Sequence, residues 1–195
     1  GSTCTLVARH YRDAGIEPEQ SIALCMASGI ISDTLFLQSP TTTTVDRTML
    51  EWLRKRCPVD LDEFARTFFE IGSALRTSTP DGVVQEDCKE FSERDIRFSI
   101  SQIEETGFDL FWERKDELRV ALVAYAEQHK LDFSALLITD VVSNGSLLLL
   151  SRETEAWEEI NYPRIDPGLY ALKNVVSRKK QLLPLVTQLI QSAVL

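Results

Sequence analysis

The chain has 195 residues, 44% hydrophobic and 26% charged, with a net charge of -9. That length buries a real core, and that composition belongs to an ordinary soluble globular protein rather than a disordered one. The acidic balance argues against general nucleic-acid binding, and no stretch reaches the ~18 apolar residues of a membrane span. Neither nucleic acid nor membrane is therefore expected as a partner. The four cysteines, Cys4, Cys25, Cys57 and Cys88, form no CxxC pair. They read as reduced thiols, which points to the cytoplasm.

The first part of the chain reads as helical. "STCTLVARHYRDAG" places Leu6, Val7, His10 and Tyr11 on one face and stops at Gly15. "PEQSIALCMASGIISDTLFLQ" is almost wholly apolar after Ser21 and predicts a helix buried on all sides. "SPTTTT" breaks it, Thr44 or Asp46 can cap a third helix, and a fourth runs through "LDEFARTFFEIGSAL". "RTSTPDG" has the composition of a linker.

Beyond it the pattern changes. "DIRFSISQIEE" alternates as a strand with one imperfection after Gln102. A long amphipathic helix covers "FDLFWERKDELRVALVAYAEQHK". "FSALLITDVV" and "GSLLLLSR" are apolar strands joined by a hairpin turn at Ser143, Asn144 and Gly145. A short helix "ETEAWEEIN" and a strand "GLYALKNVVS" lead into a final helix capped by Ser177. The expected fold class is α/β: a helical part over 1–76, then an α/β domain with a mixed sheet over 80–195.

Three places could carry chemistry. Asp33 is the only charge in its apolar helix, so it must be paired, bind a metal, or reach solvent at the helix end. Arg178, Lys179 and Lys180 fall in the first turn of the last helix, where the macrodipole is already positive. Such cations either hold an anion, phosphate being the natural one, or form a solvated patch. Arg97 lies among the polar positions of its strand, where arginine serves solubility unless it faces a ligand. His10 and His129 have no neighbouring ligand pattern, and the chain contains no Gly-rich phosphate loop or HExxH segment. The Lys89-Glu90 pair has no evident purpose.

Taken in order, "GSTCTLV", "IALCMASGIISDTLFLQSPTTTTVD", "DCKEF" and "VVSRKKQLLPLV" resemble the manganese-dependent family II inorganic pyrophosphatases of the DHH phosphoesterase superfamily. The resemblance implies a helical remainder of a DHH-type N-terminal domain followed by a DHHA2 lid domain. It implies Asp33 as one ligand of a binuclear Mn2+ or Co2+ centre, and Arg178 and Lys179 as a clamp on pyrophosphate. Arg97 falls where the family usually has a third phosphate-binding lysine, a change that keeps charge but alters shape and reach. The implied chemistry is hydrolysis of pyrophosphate by a hydroxide shared between two metal ions, with a further Mg2+ on the departing phosphate. No side chain of this chain is nominated as catalytic. The family's remaining ligands come from an upstream HxxxDxD segment, another aspartate and the DHH segment, none of which stands in this sequence. The expectation is thus a C-terminal portion, inactive in isolation, whose DHH half lies elsewhere; a homodimer is one assembly it allows. An exopolyphosphatase or other DHH-type phosphoesterase, and a non-catalytic phosphate- or nucleotide-sensing module, are the alternatives.

Overall fold

The computed structural model describes residues 1–192, and the chain divides into two compact units, Gly1–Ile71 and Gly72–Leu195. In the first, four helices follow one another: α1 (Thr3–Asp13), α2 (Gln20–Thr34), α3 (Thr44–Arg54) and α4 (Leu61–Ile71). Ser2 caps α1, its hydroxyl accepting from the Cys4 N–H. α2 buries only the stripe Ala23, Met26, Ala27, Ile30, Ile31 and Thr34, while Ile22, Cys25 and Asp33 are exposed. The expected all-round burial fails because these positions recur at three and four residues, so they form one face. Gly29 lets α1 approach closely: a Cβ there would press on the Cys4 side chain.

Asp46 locks this unit. Thr43, not Thr44 or Asp46, is the N-cap of α3, and its hydroxyl accepts from the Asp46 N–H. The Asp46 carboxylate in return accepts from the Thr43 N–H and hydroxyl, each at 2.7 Å, and from the Ser2 N–H and Thr5 hydroxyl. Burial would push this carboxyl up, but those donors outweigh it and hold it at about 2. A carboxyl depressed in the folded state stabilises fully above its unfolded value, and that contribution is lost as pH falls towards 2. The effect is about 2 kcal/mol. Asp46→Asn is therefore expected to melt lower than the natural chain at neutral pH, with the gap closing between about pH 4 and pH 2. Circular dichroism melts across that range check it; a gap independent of pH would contradict the assignment.

The second unit begins with two capped helical turns, α5 (Ala74–Thr77) and α6 (Pro80–Gln85), formed by the segment with linker composition. Ser73 and Thr79 cap them, Val83 and Val84 are buried, and Arg114 Nη1 donates to the carbonyls of Leu75 and Ser78. The sheet comprises β1 (Lys89–Glu93), β2 (Ile96–Glu105), β3 (Phe133–Asp140), β4 (Gly145–Leu150), β5 (Arg164–Asp166) and β6 (Leu169–Lys173). Its order is β1-β2-β3-β4-β6-β5, and only β2–β3 is parallel. The sheet is mixed, as expected. The long helix α7 (Asp109–His129) makes the crossover that a parallel pair requires.

Both faces of the sheet are covered, which explains why β3 is buried at every position and is apolar without alternation from Ala135 to Ile138. One face carries Phe98, Ile100, Phe133, Leu148 and Tyr170 under the C-terminal helix and the 3-10 turn Glu155–Glu159. Phe98 and Phe133 stack there with centroids 5.1 Å apart. The other face carries Ile103, Leu136, Ile138, Leu147 and Leu149 under α6 and α7. Ile103 thus faces away from Phe98 and Ile100, which accounts for the break in alternation after Gln102. Strands β1 and β5 escaped the sequence reading because they are short, mostly exposed edges.

Candidate functional site

Strand β6 ends at Lys173, and the left-handed backbone of Asn174 (φ 61°) turns the chain back over the face carrying Phe98 and Ile100. A π-helical turn, Arg178–Leu182, then leads into α8 (Leu183–Ser192). Ser177 is the N-cap, as expected, its hydroxyl accepting from the Lys180 N–H at 3.3 Å. The wider turn is set by the Leu182 N–H, which reaches back to the Ser177 carbonyl at 3.1 Å. π-turns are rare and recur at functional sites, because they re-aim side chains that an α-turn would place elsewhere. Gln181 ties the entry loop to the turn: it accepts from the Val176 N–H at 3.0 Å and donates to the Asn174 carbonyl at 2.6 Å.

The three cations of this turn have different fates. Arg178 is buried, at 6% exposure. Its Nη1 donates to the carbonyls of Ile100 (3.1 Å) and Asp87, and its Nη2 pairs with Asp87 Oδ1 at 2.9 Å. Its backbone N–H donates to Gln102 Oε1 at 3.0 Å. Asp87 itself sits in the left-handed region (φ 34°), held there from both its carbonyl and its carboxylate. Lys179 and Lys180 are exposed. The helix start therefore offers one rigid guanidinium, with Nε and one Nη2 hydrogen unpartnered among the described residues, beside mobile ammonium charges.

The structure separates Arg97 from this group. Arg97 alternates with Phe98 and Ile100, so it lies on the α7 face, opposite the turn that carries Arg178. Its Nη1 donates to the Lys130 carbonyl at 3.4 Å, and its Nη2 stands 3.7 Å from Glu90. The cation that the sheet places on the Arg178 side is Lys89. It pairs with Ile100 in the antiparallel β1–β2 register, so its side chain shares the face of Ile100, whose carbonyl holds Arg178. Lys89 is exposed. The segment "DCKEF" contained it, but recognising its face required knowing that β1 exists.

Each unit also carries a carboxylate of interest. Glu104 shares the Gln102 side of β2, and burial pushes its carboxyl up, against the lowering effect of the Gln102 amide. In the first unit, Asp33 reaches solvent in the last turn of α2, and its Oδ2 accepts from the Ser2 hydroxyl at 2.6 Å. Among the described residues no three His, Cys, Asp or Glu side chains stand close enough to hold a metal ion. Asp33 can offer one free carboxylate oxygen to a metal, and the described residues do not complete its coordination. All four cysteines are free. A separate cleft of about 670 Å³ lies along the 3-10 turn, lined by Glu153, Glu155, Glu158, Trp157, Tyr162 and Arg164 among others. Its excess of carboxylates repels a phosphate. No helix among the described residues is long and apolar enough to cross a membrane.

Residues 66–189 match the family model for the DHHA2 domain. The chain belongs to the DHHA2 family. The DHHA2 fold here is the mixed sheet with the cationic π-turn on one face. Likeness to pyrophosphatases extends along the whole chain, as the sequence motifs implied. A Staphylococcus haemolyticus protein named as a probable manganese-dependent inorganic pyrophosphatase is 31% identical over 96% of this chain and 61% of its own length. A cobalt-dependent inorganic pyrophosphatase of Clostridium perfringens is 31% identical over 100% of this chain and 36% of its own. A solved Methanococcus jannaschii structure assigned to the family II inorganic pyrophosphatases aligns with TM-score 0.78 and 26% identity, over 98% of this chain and 65% of that one. The chain thus spans about three fifths of the length of the first of these relatives.

Proposed function

We propose that this chain is the substrate-holding portion of an inorganic pyrophosphatase that works with Mn2+ or Co2+, with Mg2+ accompanying the substrate. The observation that carries the reading is Arg178, a guanidinium fixed by two backbone carbonyls and a carboxylate at a helix start, with Lys179 beside it and Lys89 on the same sheet face. Pyrophosphate is a compact polyanion, and a rigid planar donor plus two mobile ammonium groups suits it better than any single cation. Arg178 orients one phosphoryl group, while Lys179 and Lys89 follow the charge that shifts to the leaving phosphate. The positive end of α8 adds to that field. Arg97, on the opposite face, takes no part in this clamp.

Asp33 contributes one carboxylate to the metal centre, whose other ligands are not among the described residues. A divalent ion, when bound, supplies Lewis-acid polarisation of phosphoryl oxygens. The domain assignment follows the same reading: a helical portion of a DHH-type domain over 1–76 and the DHHA2 substrate-binding domain over 80–195, acting in the cytoplasm.

Substrate length separates this reading from its neighbours. The whole protein, assayed with Mn2+ on pyrophosphate and on long-chain polyphosphate, is expected to prefer pyrophosphate. Preference for the long chain would make it an exopolyphosphatase, and turnover of neither substrate would make it a binding module.

A further inference from the structure

The backbone N–H of Arg178 lies at the start of a helical turn, where a donor has no partner within the helix. Gln102, on β2, supplies the acceptor from Oε1 at 3.0 Å. The other end of the same amide, Nε2, donates to Glu104 Oε1 at 3.0 Å. The two contacts fix the amide's orientation: a backbone N–H needs an oxygen and a carboxylate needs a donor, so only one arrangement serves both. Gln102 and Glu104 are two residues apart on a strand and share a face with the side chain of Ile100, whose backbone carbonyl accepts from Arg178 Nη1.

Arg178 is therefore held at both ends. Asp87 and the two carbonyls fix its guanidinium, and Gln102 fixes its backbone. Either restraint alone leaves rotations about the side chain that would move the fork. Displacements of about 1 Å in a substrate-positioning group are enough to lower rates by about 100-fold.

Resting on the clamp reading above, we infer that Gln102 is a positioning residue for the reaction: oriented by Glu104, its amide sets the backbone from which Arg178 and Lys179 project. Gln102 spends one amide end on each partner and acts on substrate only through the turn. Gln102→Leu keeps the bulk of the side chain and removes both contacts.

The test is a double-mutant cycle in the whole protein, reading kcat/KM for pyrophosphate in natural protein, Gln102→Leu, Arg178→Ala and the pair, with melting curves for each. Gln102→Leu is expected to lower kcat/KM about 10-fold when Arg178 is present and no more than about 3-fold when it is alanine. Arg178→Lys takes the place of the alanine variant if the latter does not fold. A purely structural role would lower melting temperature and give the same fold-loss in both backgrounds, which would overturn the inference. An unchanged kcat/KM in Gln102→Leu would overturn it too. A silent Arg178→Ala would instead remove the clamp itself, and the inference with it.

Discussion

Lys179→Ala and Arg178→Ala in the whole protein are each expected to lower kcat/KM for pyrophosphate by about 100- to 1,000-fold, the range for losing one donor to developing charge. The two differ in what else they do. Lys179 is exposed, so its removal leaves the melting temperature where it was. Arg178 is buried and satisfies two carbonyls and the Asp87 carboxylate, so its removal also costs about 2–3 kcal/mol of stability. Steady-state kinetics paired with thermal melts check both halves. Full activity in Lys179→Ala would contradict the clamp, and an unchanged melting temperature in Arg178→Ala would contradict the buried anchor.

Asp33→Asn is expected to cost the whole protein at least about 10-fold in Mn2+ affinity, since even residues that only orient a metal ligand have effects of that size. The fold should be untouched, because the asparagine carbonyl can still accept from the Ser2 hydroxyl and the site is exposed. Metal content by mass spectrometry, set against an unshifted metal-free melting curve, measures this. A variant with full metal content would return Asp33 to the plainer role of a helix-end carboxylate paired with Ser2.

Much of the fold could be read in the sequence wherever one physical pattern dominated. The apolar run in "FSALLITD" signalled a strand, and Ser177 marked the start of the last helix through its hydroxyl alone. What escaped were features decided by neighbours rather than by the segment itself. Strand β1 has only five residues at an exposed edge, and its pairing with β2 is what makes it a strand. Arg97 was correctly placed among the polar positions of β2. Those positions, with Ser99 and Ser101, face α7, and with both sides of the sheet covered the alternation alone does not say which face is which. Lys89 had been visible only as half of a charged pair. The distinction between a buried Arg178 and an exposed Lys179 likewise needed the Ile100 carbonyl on β2 and Asp87, which lie 78 and 91 residues away in sequence.

The π-turn adds a physical reason for cations at the wrong end of a helix. Arg178 is compensated internally by Asp87 and by carbonyl dipoles, which lowers its repulsion of Lys179 and Lys180 without substrate. Those neighbours remain free to meet an anion.

The most direct measurement is a crystal structure of the whole protein with imidodiphosphate, a non-hydrolysed analogue of pyrophosphate. The clamp reading predicts phosphoryl oxygens within hydrogen-bond distance of Arg178, Lys179 and Lys89, with Gln102 still on the Arg178 N–H and Arg97 unengaged. An analogue bound elsewhere, with Arg178 contacting only Asp87 and the β2 backbone, would contradict it.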